Sequence, residues 1–101
     1  MNEYFLVEAD SNVEFTVTKC LACEIFDAVM SALDRRRYAQ LKSTSLFVVD
    51  VDNDITIDIN ELSKDLFLKN ELFARHSKPG DHFDEEKFIR SFIKEECNNV
   101  Q

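Results

Sequence analysis

The stretch DVDNDITIDINEL, Asp50 to Leu62, decides how this chain folds. Acidic residues stand at its first, third, fifth, ninth and twelfth positions. Across the same residues an apolar alternation runs from Val49 and Val51 to Ile55, Ile57 and Ile59. A period of two belongs to a strand, because successive side chains point to opposite faces. Asp52-Asn53-Asp54 separates the two arms, and Asn and Asp tolerate the left-handed conformation that a short hairpin connection needs. A turn over those three residues pairs Val51 with Ile55, Val49 with Ile57 and Phe47 with Ile59. One face of the hairpin is then wholly apolar, and burial of one face is what sets register.

The pattern occurs a second time. YFLVEADSNVEFTV, Tyr4 to Val17, aligns with Leu46 to Ile59 at an offset of 42 residues. Taking Asp10-Ser11-Asn12 as its turn pairs Ala9 with Val13, Val7 with Phe15 and Phe5 with Val17, again on one face. Each hairpin leads into helical spacing. Leu21, Ile25, Phe26, Val29, Met30 and Leu33 predict a helix from Lys19 to about Arg37, with Arg35, Arg36 and Arg37 near the end where cations complement the helix dipole. Leu62, Leu66, Leu72 and Phe73 predict a second helix from about Asn60 to His76. The Lys-Pro-Gly-Asp run at 78–81 breaks the chain. Asp84 then caps a third helix, Phe83 staples onto Phe88, and Phe88, Ile89, Phe92 and Ile93 form the buried stripe.

The expected fold is therefore α+β, in a single domain spanning 1–101. Two ββα repeats, at 3–42 and 45–77, form a four-stranded antiparallel sheet with helices packed on one face, and a C-terminal helix covers 83–97. A ubiquitin-like grasp fold also opens with a hairpin and a helix. The residues after Ile59 read as helix and offer no further strand, which disfavours it.

Composition sets the functional class. With 101 residues, 45% of them hydrophobic and nine of them Phe, the chain can build a core without a metal or a disulfide. Twenty acidic and twelve basic residues give a net charge of −8. That balance argues against direct contact with nucleic acid or an anionic membrane and favours a basic protein partner, or simple solubility. The apolar run in MNEYFLVEAD is too short for a secretory signal or a membrane span, and three cysteines is an odd number. Reduced thiols and a cytoplasmic chain are expected.

Three constellations bear on metal or redox chemistry. The acidic stretch resembles an EF-hand loop, with Asp50, Asp52 and Asp54 as side-chain ligands, Thr56 as a carbonyl, Asp58 through water and Glu61 as the bidentate carboxylate. Its sixth position, a glycine in that loop, is Ile55, and a β-branched residue at positive φ is an outlier. The entering residues, LysSerThrSerLeuPheValVal, read as strand rather than helix. Cys20 and Cys23 form a CxxC without the residues of a thioredoxin-like site, and Cys97 with His76 or His82 completes a zinc set only at irregular spacing. No cofactor is expected. The lone Gly80 excludes glycine-rich phosphate loops, and no acid/base pair is marked out, so the chain is expected not to be an enzyme.

A binding surface is expected where the carboxylates gather. The three-residue turns place Glu8 opposite Glu14 and put Asp50 and Asp58 on the corresponding face, with Asp10, Asp52 and Asp54 at the turns. Such a face suits an inhibitor or immunity-type protein, even a nucleic-acid mimic, that occludes a nuclease or nucleic-acid-binding protein. The alternatives are a metal-binding module on residues 50–61 or the CxxC, and a structural adaptor that docks through exposed Phe67 and Leu68 on its helices. Because a hairpin and not an EF-hand is expected at Asp50, millimolar calcium should leave the thermal unfolding midpoint unchanged. A saturable rise would assign the stretch to a metal instead.

Overall fold

Two hairpins meet through their first strands. In a computed structural model, which describes residues 1–10, 14–39 and 45–98, the elements are β1 (Asn2–Ala9), β2 (Phe15–Ala22), α1 (Ile25–Ala39), β3 (Ser45–Asp50), β4 (Ile55–Asp58), α2 (Ile59–His76) and α3 (Glu85–Asn98). The strands lie in the order β2-β1-β3-β4, and every neighbouring pair is antiparallel. The fold is α+β, a four-stranded antiparallel sheet with three helices. No described helix is long and apolar enough to cross a membrane.

Register departs from the sequence expectation in both hairpins. The β3–β4 connection is four residues long, Val51 to Asp54, not three. Asp50 pairs with Ile55, Val49 with Thr56, Val48 with Ile57 and Phe47 with Asp58. The cause is local. Asp50 Oδ1 accepts from Asn53 N at 3.3 Å and Oδ2 accepts from Asn53 Nδ2 at 2.8 Å, which curls the chain immediately after the strand. Asp54 N closes onto the Val51 carbonyl at 3.3 Å, and Asp54 itself takes the left-handed conformation at φ 53°. A shift of one residue moves side chains to the other face. In the first hairpin Ala9 pairs with Phe15, Val7 with Val17 and Phe5 with Lys19, while Ser11, Asn12 and Val13 lie outside the described residues.

The core lies on the side of the sheet opposite to the one expected for β1 and β3. Tyr4 and Leu6 of β1, Leu46 and Val48 of β3 and Ile57 of β4 are buried under the helices. Ala28, Val29, Ala32 and Leu33 of α1 meet them, with Ile59, Leu62 and Leu66 of α2 and Ile89 and Ile93 of α3. Two alanines one turn apart on α1 let that helix approach the strands closely. α2 follows β4 with no linker, so it must lie on the side from which Ile57 projects. Asp58 makes that junction by capping the helix, its Oδ1 accepting from Glu61 N at 3.1 Å.

Helix α1 starts later than the spacing predicts. β2 runs through Ala22, so Lys19, Cys20 and Leu21 are strand residues and α1 begins at Ile25. The reason is that β1 starts at Asn2, whose partner is Ala22, and ladder bonding outcompetes an early helix start. The second and third helices fall within a residue or two of their expected places. Lys78 to Asp81 forms a tight turn with Pro79 second and Gly80 third at φ 95°, closed by Asp81 N onto the Lys78 carbonyl at 3.0 Å. Asp84 Oδ1 accepts from Lys87 N at 3.0 Å, and Phe83 lies 5.8 Å from Phe73 and 6.1 Å from Phe88 between ring centroids.

The order ββα–ββα–α is present, but the two ββα segments differ in detail. β2 has eight residues and β4 four, and a two-residue bend precedes α1 where nothing precedes α2. An internal repeat is not established by this geometry, and residues 40–42 of the first segment lie outside the described residues. In urea unfolding, Ile57→Ala should cost about 2–5 kcal/mol, because its side chain is fully enclosed. Asp58→Ala should cost about 1 kcal/mol through the lost helix cap.

Candidate functional site

Helices cover one face of the sheet, and the odd-numbered side chains of β1, β2 and β3 stand on the other. Cross-strand rows define that face. Val17, Val7, Phe47 and Asp58 form one row, and Lys19, Phe5, Val49 and Thr56 the next. Phe15 beside Ala9 and Leu21 beside Glu3 extend it at either end. Phe15 is 68% exposed, Val17 60% and Leu21 57%. Phe5, Val7, Phe47 and Val49 are half-buried, shielded only by their neighbours in the sheet. Full burial of such a side chain is worth about 1.5–3 kcal/mol, so covering each of the three most exposed would return roughly half of that.

Charge on this face is sparse. Lys19 Nζ lies 2.9 Å from Glu3 Oε1, so those two neutralise each other. Asp58 is at the far edge and is engaged as the cap of α2. β2 is also an edge strand, paired only with β1, and Phe15 to Lys19 are exposed on both of its faces. Exposed edges are commonly blunted by prolines, bulges or charges, and β2 has only Lys19.

The carboxylates expected to form an acidic face are dispersed. Glu8 points toward the helices. It pairs with Thr16 rather than Glu14, and its side chain is only 14% exposed. Arg35 of α1 places Nη2 2.6 Å from Glu8 Oε1, an ion pair out of line for a hydrogen bond. Asp50 is 6% exposed and clasps Asn53. Asp10 Oδ1 accepts from Glu14 N at 3.1 Å, holding the base of the first hairpin loop. Asp52 and Asp54 are exposed in the second turn. Because β1 and β3 are antiparallel, the two hairpin tips lie at opposite ends of the sheet. Asp10 with Glu14 and Asp52 with Asp54 are therefore separated by the length of the strands.

The metal and thiol candidates also scatter. A strand, not a helix, enters Asp50, and among the described residues no three His, Cys, Asp or Glu side chains gather as ligands. Cys20 is half-buried on the helix side of β2, Cys23 is exposed in the bend before α1, and Cys97 is half-buried on α3. Burial pushes the Cys97 thiol up, and the negative charges of Asp50 and Glu96 push it the same way. His76 and His82 are both exposed.

Phe5, Val7, Phe15, Val17, Phe47 and Val49, which the alternation predicts to be inside, stand on the open face. One signal pointed to the truth. YFLV in β1 and LFVV in β3 are unbroken apolar runs, apolar on both faces, and such strands require cover on both sides. The helices supply only one cover.

No family model matches this chain, and no curated protein and no solved structure matches it either. Fold and surface together define a small α+β domain with one sheet face left apolar and open. In the native protein at mildly alkaline pH, iodoacetamide should label Cys23 first and Cys97 last, because Cys97 is shielded and its thiolate is scarce. Peptide mass spectrometry over a time course reads the order.

Proposed function

We propose that this chain is a small acidic, non-enzymatic binding protein that occludes a basic partner, and that it docks through the open face of its sheet. The observation that carries this reading is the exposure of Phe15, Val17 and Leu21 beside Phe5, Val7, Phe47 and Val49 on one continuous surface. Isolated exposed apolar residues are ordinary, whereas a contiguous apolar patch of several hundred Å² marks an interaction site. A large apolar centre with a polar rim is also the anatomy of a specific interface.

Electrostatics enter at a distance. The net charge of −8 attracts an oppositely charged protein before contact and suppresses self-association. Asp10, Glu14, Asp52 and Asp54, at the two ends of the sheet, form part of the rim that a partner meets. Glu8, Asp50 and Asp58 serve the fold instead. An inhibitor or immunity-type role against a nuclease or another nucleic-acid-binding protein fits this combination, because such proteins carry wide basic surfaces. A second reading, an adaptor that docks through its helices, is favoured by the exposure of Phe67 at 62%, Leu68 at 49% and Leu72 at 50%.

The test places a photo-crosslinking side chain at position 17, on the sheet, and in a second variant at position 86, on α3. Labelling from position 17 alone, of one discrete protein with net positive charge, supports the proposal. Val17→Lys should then weaken that complex by about a hundredfold while leaving the unfolding curve within about 0.5 kcal/mol of the parent. Equal labelling from both positions, or a captured partner of net negative charge, would overturn it.

A further inference from the structure

Away from the sheet, a groove of about 600 Å³ lies between α2 and α3. Leu68 and Leu72 of α2 and Phe88 and Phe92 of α3 line it. On each helix the two residues are one turn apart, so they stack along the groove. Leu68 and Leu72 are about half exposed (49% and 50%), while the core side of α2 is carried by Ile59, Leu62 and Leu66. The α2 wall of the groove is therefore apolar surface outside the core, while Phe88 and Phe92 of the α3 wall also pack against the core.

The two ends of the groove differ. α2 and α3 run antiparallel, since Phe73 near the end of α2 packs on Phe83, and Phe83 packs on Phe88 at the start of α3. Asp65, early in α2, and Glu95, late in α3, consequently lie at the same end, opposite the aromatic stack. Neither carboxylate has an ion-pair partner within 4 Å among the described residues, although Lys69 stands one turn along from Asp65. One end of the apolar trough thus carries a carboxylate from each of two helices, and with Lys69 in the same lining the trough keeps one net negative charge.

We propose that this groove binds an amphipathic helix of a partner protein, with apolar anchors along one face and basic residues at the end that meets Asp65 and Glu95. A trough between two helices accepts a helix whose anchors recur at i, i+3 or i+4 and i+7. A peptide that adds as a strand would need a free strand edge, and the groove has none. Helix α1 of a second copy does not supply the ligand. Its one basic helical run, Arg35 to Arg37, is already engaged: Arg35 with Glu8, Arg36 with Asn60 and Arg37 with Glu85. The apolar side of that helix is the core. This site stands apart from the sheet face and does not depend on it.

The test uses the full chain with isotopically labelled methyl groups and two synthetic peptides of about fifteen residues, long enough to form a helix on binding. Both carry the same leucine stripe. The other positions are lysine in one peptide and glutamate in its counterpart. The lysine peptide should shift the Leu68 and Leu72 methyl signals saturably and bind at least about tenfold more tightly than the glutamate peptide. Asp65→Lys combined with Glu95→Lys should abolish that preference, and Leu72→Asp should abolish binding of both peptides. Val17→Lys on the sheet should change neither result, which separates this site from the proposed sheet interface. Shifts confined to Val7 and Val17, equal affinity for the two peptides, or a preference that survives the double charge reversal would each overturn the proposal.

Discussion

The clasp between Asp50 and Asn53 is the contact on which the rest of this fold depends. A carboxylate at the end of β3 takes two hydrogen bonds from a residue three positions on and makes the turn four residues long. That length sets Val48 against Ile57, so both project to the same side. Ile57 leads through Asp58 directly into α2, and the helices must gather where Ile57 points. Everything on the other side of the sheet is left outside. A side chain 6% exposed at the rim of the core thus decides which half of the apolar residues the helices cover.

The result is a sheet with two apolar faces and one cover. The helical face is tightly filled, with Val48, Ile57, Ile59, Leu62 and Ile89 fully enclosed. The open face keeps its interior strands partly shielded, because Phe5, Val7, Phe47 and Val49 crowd one another, but β2 has no neighbour beyond it and stands in solvent. Leaving large side chains such as Phe15 and Val17 there forgoes burial free energy that a monomer would ordinarily use. A partner covering that face would recover it, which is why an open sheet face is an energetic argument for binding and not merely a matter of shape.

Acidity plays two parts in this molecule. Some carboxylates hold the fold: Asp10 and Asp50 brace hairpin connections, Asp58 and Asp84 cap helices, and Glu8 and Glu85 tie α1 to its surroundings through Arg35 and Arg37. Others, such as Asp52, Asp54, Asp65 and Glu95, carry no ion pair among the described residues and contribute to the negative field around the molecule. Counting acids along the chain cannot separate these parts. A short polar side chain beside a turn or a helix start bonds to the nearest backbone donor first, because the closure is local and costs little entropy.

Much was legible in the residues themselves. The two hairpins, the helix that begins beside Asp58, the Pro79-Gly80 turn, the Asp84 cap with its Phe83 and Phe88 contact, and the α+β class all follow from period, turn chemistry and capping, which act within a few residues. The candidate surface was half legible: the runs YFLV and LFVV announce strands that are apolar on both faces, and Phe67 and Leu68 fall off the stripe of their helix. Which face the helices would cover was not. A strand that is apolar on both sides carries no local preference, and a single residue in a turn reverses it. Only tertiary structure decided that choice, because it depends on where α2 can go once β4 ends; it also brought Asp65 and Glu95, thirty positions apart in sequence, to one groove.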